Sequence, residues 1–265
     1  FDFEKFPNTE PSLDTQMKSI GEVMAIGRSF KESLQKALQS LEVGVSGLDN
    51  QLNKAFDKPK DILVQKLQMP SWDRIWYIAE AFRLDYTLDQ VYRLTKVNEW
   101  FLYQIKELVD SEKEIVGLKI SDIDAEMIYR LKKQGFSDRR IANLLEIDEE
   151  EVRFYRHKLQ IRPVYKRVDS CAAEFATSIA YFYSTYEEEC EAQPTNRQKV
   201  IILGSGPNRI GQGLEFDYSC VHASITLRDA GYETIMINSN PETVSTDYDI
   251  SDRLYFEPLT VRKCS

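Results

Sequence analysis

The stretch from Lys199 to Tyr218, KVIILGSGPNRIGQGLEFDY, constrains the fold of this chain more than any other. Its apolar run Val200–Leu203 predicts a buried parallel strand. The loop that follows contains four glycines, which adopt positive φ freely and allow close backbone approach: Gly204, Gly206, Gly211 and Gly213. The pattern of residues 218–230 then predicts a helix, and that of Glu233–Asn238 predicts the next strand. A βαβ unit therefore begins at this stretch. The helix residues available to face the sheet are Cys220, Val221, Ala223, Ser224 and Leu227.

Two nucleotide-binding motifs fit this loop poorly. The dinucleotide fingerprint has a third glycine where this chain has Arg209, and it has an acidic residue after the second strand. That strand ends here in Asn238, Ser239 and Asn240. A P-loop would require Gly-Lys-Ser/Thr, which does not follow the glycines. The loop therefore predicts neither NAD nor P-loop nucleotide binding, and no cofactor-binding residue is assigned.

Composition excludes several kinds of partner and chemistry. The net charge of −9 over 265 residues argues against nucleic acid, which requires a basic surface. The sequence has no signal peptide and no long apolar run, so we expect a soluble, cytoplasmic chain without a membrane partner. Its four cysteines are widely spaced and include no Cys-x-x-Cys pair, so we expect them to be reduced thiols. Its two histidines cannot by themselves form a histidine metal site or a catalytic triad. No catalytic residue and no metal ligand is assigned.

Residues from about 29 to 190 predict helices throughout, without strand-like stretches. Ser29–Leu41 has Ser29 as its cap and Glu32 at the capping-box position. Its apolar stripe consists of Leu34, Ala37, Leu38 and Leu41. Further apolar residues at helical spacing, most of them expected in a core, are Trp72, Ile75, Trp76, Ile78, Ala79, Phe82, Trp100, Phe101, Leu102 and Ile105. The patterns predict an all-α domain.

Ser137–Leu159 has the rhythm of a helix-turn-helix, a unit that contacts DNA in many regulators. Its second helix begins with the acidic run 149–151, and the basic residues that follow only balance that charge. Because phosphate contacts require positive surface, a helical hairpin that packs without binding DNA is the favoured interpretation.

Charged side chains converge on one edge of the predicted βαβ unit. The first loop and the segment after the second strand both lie at the carboxyl edge of the sheet, where ligands bind. Arg209, Glu215 and Glu242 can therefore gather there. Glu215 has a second interpretation, as an acid that stabilises the N-terminus of the helix. Glu22, far away in the sequence, has the plain interpretation of a solvated loop acid.

Four long segments together resemble one enzyme family. GPNRIGQGLEFDYSCVHAS and INSNPETVSTDYDISDRLYFEPLT are similar to the opening of the second synthetic half of carbamoyl phosphate synthetase. PVYKRVDSCAAEFATSIAYFYSTYEEECEA resembles the end of the large subunit's oligomerisation domain. MKSIGEVMAIGRSFKESLQKAL resembles the end of the first synthetic half. The resemblance covers essentially the whole chain and implies a central slice of a much larger polypeptide.

This resemblance implies a multi-domain chain. Residues 1–28 would be the C-terminal remnant of the first ATP-grasp synthetic half, and 29–192 an all-α oligomerisation domain. Residues 193–198 would be a linker, and 199–265 a truncated pre-ATP-grasp domain with a Rossmann-like α/β fold. The last residues, VRKCS at 261–265, depart from the acidic, apolar helix that the family has there.

The family's chemistry gives further expectations. Its members make carbamoyl phosphate from bicarbonate, ammonia released from glutamine, and two ATP, for arginine and pyrimidine synthesis. The resemblance implies that an internal route between two ATP-grasp sites is lined by Glu22, Arg209, Gly213, Glu215 and Glu242. It also implies ATP and Mg²⁺ (or Mn²⁺) in other parts of the whole enzyme, a glutaminase subunit or domain as partner, and self-association of the helical domain. Alone, the chain is expected to be inactive. The alternative is a non-enzymatic helical interaction module with an α/β cap.

Overall fold

The computed structural model describes residues 8–10, 12–16, 21–50, 52, 59–172, 174–175, 181–211 and 213–260. They form two compact units. One contains the described residues of Phe1–Ser19 and Val45–Ile161, and the other those of Ile20–Gly44 and Arg162–Ser265. The divergent segment 261–265 lies outside the described residues. Among the described helices, none has the length and apolar character needed to cross a membrane.

Most of the described helices precede most of the described strands in chain order. In chain order the described helices are α1 (Phe30–Ser40), α2 (Pro59–Gln68), α3 (Arg74–Arg83), α4 (Leu88–Thr95), α5 (Glu99–Ile115), α6 (Ala125–Lys133), α7 (Asp138–Leu145), α8 (Glu149–Lys158) and α9 (Gly213–Asp229). The described strands are β1 (Gly21–Glu22), β2 (Val164–Arg167), β3 (Tyr181–Thr185), β4 (Lys199–Leu203), β5 (Asn208–Arg209), β6 (Glu233–Asn238) and β7 (Arg253–Phe256). Single 3₁₀ turns occupy Ile120–Asp122 and Val244–Thr246.

Helices α2–α8 form the first unit around an apolar core. Its fully buried side chains include Leu63, Leu67, Leu102, Leu108, Ile128 and Ile141. Trp76 is buried and satisfies its indole N–H by donating to the carbonyl of Gly47 at 2.9 Å. The expected helical core is therefore confirmed, with three exceptions: Trp72 is 38% exposed, and in the first turn of α5 Trp100 is 52% and Phe101 42% exposed. The rings of Trp100 and Phe101 stack edge to face on each other, with centroids 5.0 Å apart.

Helices α7 and α8 form the helical hairpin expected from the sequence. Ser137 caps α7 by accepting a hydrogen bond from the backbone N–H of Arg140 at 2.9 Å. Glu146 ends the helix in the left-handed conformation, with φ 56°. On α8, Arg156 is buried and bonded to Asp138, so this basic side chain does not belong to a phosphate-facing surface. That contact supports the packing interpretation over DNA binding.

A five-stranded sheet with the order β2-β3-β7-β6-β4 builds the second unit. Strands β3, β7, β6 and β4 run parallel to their neighbours, and β2 pairs antiparallel with β3. Helix α9 connects β4 to β6, which is the predicted βαβ unit. A separate two-stranded ribbon pairs β1 with β5, placing Gly21 opposite Arg209 and Glu22 opposite Asn208.

One face of the sheet packs against α9. The buried cluster contains Ile202, Met236, Leu254 and Phe256, and the residues packed on it include Cys220, Ala223 and Leu227 of α9. Ser224 is also buried, and its hydroxyl donates to the carbonyl of Ile250 at 2.8 Å. The predicted inward face of the helix is thus largely correct. The helix begins at Gly213, five positions before the predicted start at Tyr218.

The prediction of helices throughout residues 29–190 is wrong at two places, because β2 and β3 lie within it. Both strands contain aromatic residues that pack across the sheet. Phe182 stacks on Tyr255 at a centroid distance of 5.2 Å, and Tyr165 meets Tyr255 edge to face at 5.1 Å. The partner Tyr255 is distant in the sequence, so local periodicity did not reveal either strand.

The prediction of a buried strand at Val200–Leu203 is correct for one face only. Ile202 is buried, whereas Ile201 and Leu203 are about half exposed, at 49% and 52%. Strand β4 is at the edge of the described sheet, and α9 covers the face that Ile202 occupies. Four consecutive apolar residues predict a strand that is buried on both faces. They do not reveal that, in the described structure, no element packs on the face that contains Ile201 and Leu203.

Helix α1 belongs to the sheet unit and buries a polar face, in contrast to the predicted apolar stripe. Its buried residues are Glu32, Gln35, Lys36, Leu38 and Ser40. Lys36 donates through Nζ to the carbonyl of Ile26 at 2.8 Å and also bonds the carbonyl of Ser184. Because buried charges need partners, these contacts explain the polar face. The predicted helical domain at residues 29–192 includes α1, whereas the structure groups α1 with the sheet unit. The domain boundaries at 29 and 192 stay a prediction.

Candidate functional site

The candidate site lies at the carboxyl ends of β4 and β6, which are adjacent and parallel. The glycine-containing loop follows β4, and the segment 239–242 follows β6. The backbone N–H of Met24, just after β1, donates to the carbonyl of Ser239 at 2.8 Å. The βαβ topology predicts that the glycine loop and segment 239–242 share one sheet edge, and the segment that contains Met24 joins them there.

Asn238 holds the glycine loop against the end of β6. Its side-chain oxygen accepts three backbone N–H groups, from Gly206 at 3.1 Å, Ser239 at 2.8 Å and Asn240 at 3.3 Å. The residue is fully buried. A Cβ at Gly204 would lie only 2.3 Å from Cγ of Asn238, so only glycine fits at position 204. From the sequence, Asn238 is notable only as a non-acidic residue after the second strand; its position at a strand end beside a glycine loop is the signal for its role.

Glu22 and Glu242, two of the predicted site residues, are brought together at this edge. The side-chain amide nitrogen of Asn208 lies 3.1 Å from Oε1 of Glu22 and 3.4 Å from Oε2 of Glu242. Both glutamates are exposed. Hydrogen bonding to Glu22, together with its negative charge, raises the pKa of Glu242. The interpretation of Glu22 as an isolated solvated acid is therefore incomplete.

Arg209, the third predicted site residue, directs its guanidinium to a different place. Nη2 donates to the carbonyl of Leu41 at 2.5 Å, at the end of α1, and Nη1 lies 4.0 Å from the carboxylate of Glu42. Burial raises the pKa of Glu42, and the nearby Arg209 charge partly opposes that shift. Neighbouring residues of a strand point to opposite faces, which explains why Asn208 faces Glu22 and Arg209 does not.

Gly213 and Glu215 occupy the first turn of α9, which begins at Gly213. Their side-chain environment lies outside the described structure, so the predicted roles of both residues stay predictions. Asp217, two residues after Glu215, is buried. Its carboxylate accepts hydrogen bonds from the backbone N–H groups of Val244 at 2.9 Å and Ser245 at 3.1 Å. Asp217 therefore anchors the turn that follows Glu242 to α9.

The polar side chains of β5 are already bonded within the chain. The side-chain amide of Asn208 already bonds Glu22 and Glu242, and the guanidinium of Arg209 bonds the end of α1. In the part of the chain that the structure describes, no group of three or more His, Cys, Asp or Glu side chains is arranged to hold a metal. The arrangement offers a pair of carboxylates, an amide that bonds both of them, and a backbone loop bonded to Asn238 beside them.

Comparison with known proteins agrees with this architecture of a helical domain followed by an α/β unit. A family model described as carbamoyl-phosphate synthetase large chain, oligomerisation domain, matches residues 22–160. A second, described as carbamoyl phosphate synthase preATP-grasp domain, matches residues 196–265. The chain belongs to the carbamoyl phosphate synthetase large-chain family.

Individual relatives cover nearly all of the chain. The carbamoyl phosphate synthase large chain of Pseudomonas aeruginosa is 59% identical over 261 residues, which are 98% of this chain and 24% of the relative. The large chains of Xanthomonas campestris and Neisseria meningitidis are 57% and 56% identical, again over 98% of this chain and 24% of their own length. The chain thus spans about a quarter of the length of these relatives. The alternative of an independent interaction module is not favoured, because the similarity runs through both units.

Proposed function

We propose that this chain is the central part of the large chain of a glutamine-dependent carbamoyl phosphate synthetase. The whole enzyme would combine bicarbonate, ammonia from glutamine, and the energy of two ATP, and would supply arginine and pyrimidine synthesis. The observation that carries the proposal is the continuous 59% identity over 98% of the chain to a relative named carbamoyl phosphate synthase large chain. The described cysteines Cys171, Cys190 and Cys220 are free thiols, which agrees with a cytoplasmic location.

Within that enzyme, we assign two roles to the chain. The helical unit serves self-association, in line with the family description of residues 22–160. The sheet edge forms part of an internal route for intermediates, lined by Glu22, Arg209, Gly213, Glu215 and Glu242. The proximity of Glu22 and Glu242 supports this assignment, since the two residues are 220 positions apart in the sequence. ATP and Mg²⁺ (or Mn²⁺) bind in other parts of the enzyme, and a glutaminase subunit or domain supplies ammonia.

The physical demands on such a route account for the residue types. A carbamate decomposes in bulk water, so the route must exclude solvent and have rigid walls. The loop bonded to Asn238 provides a backbone wall, and a glycine such as Gly213 is the residue type that a narrow passage requires. The carboxylates accept hydrogen bonds from N–H groups of the cargo. No catalytic residue is assigned to the chain itself.

A chimeric enzyme tests the proposal. The corresponding quarter of the Pseudomonas aeruginosa large chain is replaced by this sequence, and the complete enzyme is assayed for carbamoyl phosphate synthesis and for the partial ATP-consuming reaction at each site. We expect synthesis at a rate close to that of the parent enzyme. A soluble, folded chimera that performs both partial reactions without overall synthesis would contradict the proposed route, and loss of the partial reactions would contradict the proposed family role.

A further inference from the structure

Asn208 donates to both carboxylates at the sheet edge, and no local sequence pattern predicts a role for it. Its single amide nitrogen carries two hydrogens, and acceptors lie on both sides of it: Glu22 at 3.1 Å and Glu242 at 3.4 Å. The two glutamates come from segments that precede α1 and follow β6. A neutral donor thus bridges two acidic groups that the chain brings in from opposite ends.

Strand pairing explains why this position makes the bridge. Glu22 and Asn208 are directly opposite each other in the antiparallel ribbon of β1 and β5. Side chains of such a pair lie on the same face with Cβ atoms about 4.5–5.5 Å apart, which suits an amide and a carboxylate. Glu242 is oriented separately, because its backbone N–H donates to the side chain of Asn240 at 2.9 Å. The geometry at Asn208 is therefore set by backbone contacts on both sides.

We propose that Asn208 is a positioning residue of the intermediate route, whose side-chain amide holds the carboxylates of Glu22 and Glu242 side by side as one unit. This inference rests on the proposed function. Two carboxylates repel each other in the absence of a donor between them. The arginine next in sequence does not supply that donor, because its guanidinium bonds the carbonyl of Leu41. On the α1 side, the same guanidinium lies 4.0 Å from the carboxylate of Glu42.

The titration of Glu242 reports on the same arrangement. Its pKa is raised by hydrogen bonding to Glu22 and by the charge of Glu22, and both effects require the two carboxylates to stay close. Both side chains are exposed, so they are free to separate once the amide is removed. Asn208→Ala also removes a donor that favours the charged form of Glu242, so a fall of its pKa toward the ordinary value would come only from separation of the two carboxylates, and this fall is the expected result.

The first experiment uses the 265-residue chain itself. Carbon-13 NMR follows the side-chain carboxyl of Glu242 against pH in the wild type, in Asn208→Ala and in Asn208→Gln. Asn196→Ala is the matched control, because Asn196 is exposed in the linker. We expect the Glu242 midpoint to fall in Asn208→Ala, to recover in part in Asn208→Gln, and to stay unchanged in Asn196→Ala. A midpoint that stays or rises in a folded Asn208→Ala shows that the acids remain paired without the amide and overturns the proposal.

The second experiment places the same variants in the chimeric synthetase. We expect Asn208→Ala to lower overall synthesis about tenfold or more while both partial reactions stay within about twofold, as for a misplaced group outside the reacting centres. Asn208→Gln should restore part of the loss. If the unsubstituted chimera is inactive, the proposed function fails and the NMR result stands alone. If it is active and Asn208→Ala matches it, the positioning role fails while the proposed function stands. Should Asn208→Ala not fold, Asn208→Leu, which is close to asparagine in size and has no donor, takes its place in both experiments with the same expected results.

Discussion

Arg156 donates two hydrogen bonds to the buried carboxylate of Asp138, from Nε at 3.2 Å and from Nη2 at 2.9 Å. Lys132 adds a third, from Nζ at 2.9 Å. The three charged side chains tie α6, α7 and α8 together inside the helical unit. Burial alone would raise the pKa of Asp138, but the two cations and their hydrogen bonds outweigh it and hold the pKa well below its usual range.

Removing this carboxylate charge should therefore destabilise the helical unit strongly. We expect Asp138→Asn to lower the free energy of unfolding by about 3–5 kcal/mol, because the charges of Lys132 and Arg156 lose the buried negative charge that compensates them while each keeps only a neutral carbonyl acceptor among the bonds described. Chemical denaturation at neutral pH measures the change. Asp89→Asn is the control, since Asp89 forms an exposed pair with Arg93 on α4 and should change stability by about 0.5 kcal/mol or less.

The same carboxylate should make stability depend on pH in the acid range. A depressed folded-state pKa contributes stability that is fully present above the unfolded pKa of aspartate and is lost as pH falls toward the folded value. Denaturation curves between pH 7 and strongly acid pH should show the wild type losing stability more steeply than Asp138→Asn. Equal slopes for the two proteins would show that Asp138 is not the group responsible.

Gly204 should not tolerate even one added methyl group. A Cβ there would lie 2.3 Å from Cγ and 2.7 Å from Cβ of Asn238. We expect Gly204→Ala to destabilise the sheet unit by about 1–3 kcal/mol, as overpacking does in a filled interior. The double variant Gly204→Ala/Asn238→Gly is the test of cause: it should be more stable than the sum of the two single changes predicts. Strict additivity in thermal unfolding would contradict the steric explanation.

Gly213 and Glu215 are tested in the complete chimeric synthetase. If Gly213 borders a narrow route, Gly213→Phe should obstruct it, so that the partial reactions persist and overall synthesis falls. Glu215→Gln should slow synthesis while leaving the thermal midpoint nearly unchanged. If Glu215 only stabilises the start of α9, the same change should instead cost about 0.3–1 kcal/mol and leave turnover intact. Joint loss of stability and of both partial reactions in Gly213→Phe would show a structural glycine.

The helical unit should self-associate. Several large aromatic side chains between Trp72 and Tyr103 remain substantially exposed in the single chain, which is unusual for an acidic protein without a partner. Sedimentation velocity across the micromolar range should show a concentration-dependent shift to a heavier species. A single monomeric boundary over the whole range would argue against this role for the chain by itself.

The sequence by itself determined the elements whose signals are local. The glycine loop between two apolar runs predicted the βαβ unit around α9, and Glu233–Asn238 is a strand with the predicted bounds. Ser137 predicted the start of α7 because a cap acts within one helical turn. The family resemblance, which depends only on residue order, was also available in full and is confirmed by both domain matches.

Only the tertiary structure decided which distant residues meet. Strands β2 and β3 are strands because Tyr255, some 70 to 90 positions away, supplies their aromatic partner, and α1 buries charges because Ser184 and Glu257 receive them. Likewise, the pairing of Glu22 with Glu242 depends on Asn208 being placed opposite Glu22 by a two-residue ribbon. Helix caps and turns depend on contacts within a few residues, whereas sheet order and buried charge pairs depend on contacts between remote segments, which local sequence patterns do not encode.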